Sequence, residues 1–122
     1  MTPDDFVQLV ERLVPEVQRK PILDTVRFRV GAKTFATLGW PAAGWAVVKL
    51  SAADQVQALA ASEAFAREPG RRRNSGVTLV RLKGADPDIL ADVIGAAWRH
   101  AYLGPGRKTL SGPVKGADLR AG

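Results

Sequence analysis

Near the start of the chain, Phe6, Leu9, Val10, Leu13 and Val14 recur at helical spacing and form one apolar stripe. Thr2 stands ahead of them as a cap, Pro3 suits the first helical position, and Asp4 and Asp5 lie where the helix dipole favours negative charge. Pro15 stops this helix, and 15–24 reads as a polar connection. The period then changes to two. Val26, Phe28 and Val30 alternate with Arg27 and Arg29, the pattern of a half-buried strand. Gly31-Ala32 is a turn, Lys33 to Leu38 a second strand, 39–44 a turn containing glycine and proline, and Trp45 to Leu50 a third strand.

Ser51-Ala-Ala-Asp54 has the form of a capping box and predicts a helix to about Ala61, with Val56, Leu59 and Ala60 facing inward. Residues 63–76 read as a loop anchored by Phe65, followed by a strand from Val77 to Leu82. Asp86 caps a last helix with Pro87 at its first position and Leu90, Val93, Ile94, Ala97, Trp98 and Ala101 directed inward. Gly104 to Gly122 has no periodicity and reads as a flexible basic tail. The element order predicts an α+β fold: an antiparallel β-sheet meander with helices packed on one face. The other face is left to water or to a partner.

The chain's 122 residues suit one domain, expected over 1–103, ahead of the tail at 104–122. The net charge of +6 is unevenly placed. Residues 25–83 carry ten basic against three acidic side chains, whereas 1–24 and 84–102 are each net acidic. The excess sits in the strand region and in the tail, where four basic residues face one acidic, a pattern expected where a sheet face rather than the whole surface meets a polyanion. A GC-rich genome, which enriches arginine, glycine and alanine together, is the competing explanation for the whole of the same bias.

Enzyme templates find little here. There is no cysteine and a single histidine, His100, near the end of the last helix. Thiol chemistry and cysteine-ligated zinc are excluded, and a serine–histidine relay is hard to assemble. Ser51 and Ser62 have no evident base. Many of the acidic residues (Asp4, Asp5, Asp54, Asp86 and Asp88) lie at helix starts, where capping and the dipole explain them. Gly104-Pro-Gly106-Arg107-Lys108-Thr109 lacks the spacing of a phosphate loop. The expectation is a non-enzymatic protein without metal or cofactor. The N-terminus lacks the basic start and apolar run of a signal peptide, so the cytoplasm is the expected compartment.

The cations offer more. Arg27 and Arg29 share a strand face; Lys33, Lys49, Arg81 and Lys83 come from other strands or their ends; Arg71, Arg72 and Arg73 lie on a loop leading into the last strand. These nine are the candidate nucleic-acid contacts, although such residues also suit any solvated sheet face. Trp98 belongs to the apolar stripe of its helix. Trp40 and Trp45 flank one turn, where they either fold back and pack or stand exposed to stack on a base.

The run from Val26 to Ala36 (Val-Arg-Phe-Arg-Val-Gly-Ala-Lys-Thr-Phe-Ala), then Val47-Val-Lys-Leu-Ser51, Val77-Thr-Leu-Val-Arg-Leu82 and Ala97-Trp98, resembles the MmcQ/YjbR-like family of small bacterial proteins. The resemblance covers roughly residues 4–102. It implies a double-wing, frataxin-like fold and a DNA-binding role inferred from paired β-wings. It makes Phe28, Val30, Phe35 and Ala36 the signature of the first hairpin, and Lys33 and Lys49 strand lysines on the exposed side. The Arg71–Arg73 run is not part of that signature.

The leading expectation is therefore a DNA-binding protein that contacts the phosphate backbone through basic β-wings with little sequence specificity. The alternative is a non-enzymatic module that docks a protein or small ligand on the exposed sheet face. Accessible apolar side chains there would favour the alternative, and cations would favour a polyanion. Metal handling by an acidic ridge, suggested by the frataxin-like fold, is disfavoured because Asp4, Asp5, Glu11 and Glu16 are sparse and interrupted by Arg12.

Overall fold

The computed structural model describes residues 1–70 and 75–103. Helix α1 (Pro3–Leu13) starts as its residues dictate. The Asp5 amide donates to the Thr2 hydroxyl at 3.1 Å, and the Thr2 amide donates to the Asp5 carboxylate at 3.0 Å. Together they satisfy two backbone donors that a helix start otherwise leaves open. Phe6, Leu9, Val10 and Val14 are buried, whereas Leu13 stays partly exposed.

The segment at 15–24 is more than a connection. It contains β1 (Gln18–Ile22), antiparallel to β2 (Thr25–Val30). Nearly every β1 side chain is exposed, so no apolar alternation marks the strand. Pro21 is tolerated because β1 lies at the sheet edge, where one row of backbone N–H groups needs no partner. There follow β3 (Lys33–Leu38), β4 (Trp45–Lys49), α2 (Ala52–Ala61), β5 (Phe65–Arg67), β6 (Val77–Arg81) and α3 (Pro87–Leu103). The six strands form one antiparallel sheet in the order β1-β2-β3-β4-β6-β5. Strand β5 corrects the loop reading of 63–76. Phe65 is the expected buried anchor, and its neighbours pair with β6.

One register shift decides how the first hairpin packs. Phe28 pairs with Ala36 and Arg29 with Thr34, which leaves Phe35 as the extra residue of a β-bulge. Consecutive residues Phe35 and Ala36 are consequently both buried, although strict alternation would send one of them outward. Phe28 meets Phe6 of α1 edge to face at 5.8 Å. Around this pair Val48, Val80, Leu82, Leu90 and Ile94 complete a core between the helices and one face of the sheet.

Helix α2 is rotated relative to its sequence reading. Val56 is 56% exposed and Ala60 is also exposed, while Gln55 and Ala58 are buried. The Gln55 amide explains the difference, because it donates to the Val77 carbonyl and to Thr78 Oγ1, both at 3.0 Å. A glutamine with both amide hydrogens engaged can occupy a position that periodicity reserves for an apolar residue. In α3 the Asp86 carboxylate accepts the Asp88 and Ile89 amides, and Leu90, Val93, Ile94 and Ala97 are buried. Trp98 packs at the margin of the core and stacks on Tyr102 with ring centroids 5.4 Å apart.

Candidate functional site

The helices leave one face of the sheet uncovered, and the strand pairing states which side chains lie on it. Lys20 pairs with Arg27, Arg27 with Thr37, Thr37 with Val47, Val47 with Leu79, and Leu79 with Ala66. Directly opposed residues in an antiparallel sheet share a face, so these six form one row across all six strands. The same alternation places Arg29, Lys49 and Arg81 on this side, each two residues from a member of the row or paired to one that is.

The row is not uniform. At its β4–β6 end Val47, Val77 and Leu79 form a second, small apolar cluster with Trp45 packed against it. These three are buried, at 7–8% exposure, so the face offers no open apolar patch there. Toward β2 the surface becomes polar and hollow. A cleft of about 600 Å³ is lined by Thr25, Arg27, Thr34, Thr37, Trp40, Val47, Lys49, Glu68, Ser75 and Val77. The turn carrying Trp40 curls over the sheet, and the indole N–H donates to Glu68 at 3.0 Å, joining the β3–β4 turn to the segment after β5. Trp40 is still 49% exposed. Of the two turn tryptophans, Trp45 packs and Trp40 forms a wall of the cleft.

The candidate cations separate into groups. Arg27 and Lys49 open onto the cleft. Arg81 is on the same face, opposite Trp45. Arg29 is also on this side but is partly buried and donates to the Ala32 carbonyl at 3.3 Å, bracing its own hairpin turn. Lys33 is a correction. It pairs with Val30, which packs against the main core, so the bulge carries Lys33 to the helix side of the sheet. Lys83 lies in the turn beyond β6 and does not line the cleft. Arg71, Arg72 and Arg73 lie outside the described residues, as does the tail at 104–122. Lys20 was missed, because nothing in Gln-Arg-Lys-Pro-Ile marks a strand, and the facing direction of Lys20 follows only from pairing. The threonine hydroxyls and Glu68 were missed as well; isolated polar residues carry no motif.

The family model described as YjbR matches residues 13–100. The chain belongs to the YjbR family. That match spans β1 through most of α3 and therefore includes every strand of the open face. No curated protein matches the chain. Among the described residues of this YjbR chain, no group of three or more His, Cys, Asp or Glu side chains is placed to hold a metal ion. No described helix is long and apolar enough to cross a membrane.

Proposed function

We propose that the protein binds nucleic acid through the open face of its sheet, holding phosphates with little regard to sequence. The observation that carries this reading is the opening of Arg27 and Lys49, from strands on either side of β3, onto one cleft that no described helix covers. Lys20 and Arg81 extend the positive charge along the same face. The hydroxyls of Thr34 and Thr37 supply neutral donors of the kind that accompany phosphate contacts, whereas that of Thr25 donates to the Ile22 carbonyl at 2.8 Å. The alternative, docking of an apolar partner, is less well supported because Val47, Val77 and Leu79 are already covered. The DNA backbone is the proposed target, in keeping with the paired β-wings of the family resemblance.

Binding of this kind has a typical dissociation constant of about 10⁻⁴ to 10⁻⁶ M at physiological salt and weakens steeply as salt rises. A labelled oligonucleotide titrated at several salt concentrations measures it. Replacing Arg27 and Lys49 together by alanine removes two phosphate partners. The slope of log K against log salt should then shrink by roughly 1.4 to 1.8. Absence of binding at low salt, or an unchanged slope in the double variant, contradicts the proposal.

A further inference from the structure

Resting on the reading above, we infer that the cleft takes a nucleotide of a single strand, with the base against Trp40 and the flanking phosphates on Arg27 and Lys49. Shape is the first argument. A duplex is a convex rod whose bases face inward, and it is gripped by elements that protrude into its grooves. Here the groups that converge do so in a hollow. Its volume, about 600 Å³, falls within the ~300–1,000 Å³ range of sites that enclose small organic ligands. A base enters such a hollow only from an unpaired strand or after leaving its stack, which costs a few kcal/mol in a duplex.

The second argument is the condition of Trp40. Its one polar atom, the indole nitrogen, is committed to Glu68 at 3.0 Å, which fixes the ring without using its faces. Half of the side chain remains accessible, on a rim rather than in the core. A fixed, partly exposed aromatic beside cations is the arrangement on which unpaired bases stack, and stacking tolerates any base because every base has a π-face. The third argument is spacing. Arg27 belongs to β2 and Lys49 to β4, with Thr34 and Thr37 of β3 between them. The two strands lie roughly 10 Å apart at about 4.8 Å per strand, and Lys49 is two residues (~7 Å) beyond Val47, the residue in register with Arg27, so the two backbones stand about 12 Å apart. This is room for a base to descend between two phosphates. The hydroxyls of Thr34 and Thr37 then face the inserted nucleotide, and sugar type is left unspecified.

The test compares three labelled ligands at one low salt concentration. They are a single strand of roughly 12 nucleotides, within the ~4–16 nucleotide sites of single-strand binders, a duplex of the same length, and an abasic strand with the same phosphates. Deoxyribose and ribose versions of the single strand are both included, and tighter binding of either one than of the duplex and the abasic strand supports the inference. The expected result is a single strand bound at least about tenfold more tightly than the duplex or the abasic strand. Trp40→Ala should lower single-strand affinity roughly tenfold while leaving abasic binding and the salt slope unchanged, and Trp40→Phe, which keeps an aromatic face but loses the N–H bond to Glu68, should fall between Trp40→Ala and the wild type. Circular dichroism of each variant identifies any that fails to fold, in which case Trp40→Phe and the abasic comparison decide. Duplex binding as tight as single-strand binding, or Trp40→Ala without effect, overturns this inference and leaves the phosphate-binding proposal standing. Failure to bind any of the three removes both.

Discussion

Leu23 turns the β1–β2 hairpin with φ of 55°, a left-handed conformation that costs a residue with a Cβ roughly 1–2 kcal/mol. It is 98% exposed, so no packing offsets the strain. Leu23→Gly is expected to raise stability by up to about 1 kcal/mol, after the greater freedom of glycine in the unfolded chain is deducted. Chemical denaturation measures this, and a loss of stability would show that Leu23 makes a contact the structure lacks. Asp5 makes a second single-residue prediction. The Thr2 backbone N–H, and then the Thr2 side chain, hold its carboxyl below the ordinary value of 3.8. A carboxyl lowered on folding stabilises the protein above its unfolded pKa, and that stabilisation fades as pH falls through the folded value. Thermal melts of the wild type and Asp5→Asn should therefore differ at neutral pH and converge below about pH 3.8. A constant difference across that range would rule out the charged capping box as its source. Thr2 as the cap was legible from its position ahead of Pro3, whereas the bond from its backbone N–H to Asp5 was not, because Asp5 was read only as an acidic residue facing the helix dipole. The strain at Leu23 was not, since leucine does not announce a turn as glycine or asparagine does.

At the scale of elements, legibility followed the hydrophobic pattern and failed where that pattern gives way. β2, β3 and β4 lie within a residue of their predicted bounds: β2 alternates apolar with basic residues, β3 is bounded by glycine-containing turns, and β4 is an apolar run, buried on both faces, between a turn and a helix cap. β1 and β5, at opposite edges, bury too little to alternate. Helix α2 was found, and Leu59 packs against the core as expected, but Val56 and Ala60 are exposed because hydrogen bonds at Gln55 allow that polar position to be buried instead. The bulge at Phe35 moved Lys33 to the helix side, a consequence of one extra residue that spacing alone does not reveal. The missed strand also supplies a test of purpose. Lys20 and Arg27 are directly opposed cations, an arrangement that weakens a strand pair. Lys20→Glu converts it to an opposite-charge pair and should stabilise the fold by about 0.2–1 kcal/mol while weakening nucleic-acid binding. Parallel melts and binding titrations check both halves. A variant that gains stability and keeps full affinity would place Lys20 outside the binding surface.

Across the whole molecule, fold and candidate site were legible to different degrees for one physical reason. The α+β arrangement with helices on one face is written in burial, which repeats along the chain. The site is written in which strands become neighbours. Arg27 and Lys49 are far apart in sequence and meet across β3, and Trp40 reaches Glu68 only because its turn folds over the sheet. Of the six candidate cations among the described residues, two line the cleft, and the groups between them are threonines that no motif selects. The central claim is that the uncovered face, through this cleft, is where the protein meets nucleic acid. Amide chemical shifts recorded while a short oligonucleotide is added address it directly, because they report position on the fold. The account predicts that the changes concentrate at Thr25, Arg27, Thr34, Thr37, Lys49 and the Trp40 indole, with α1 and α3 unaffected. Changes concentrated on the helices, with the sheet face silent, would contradict it.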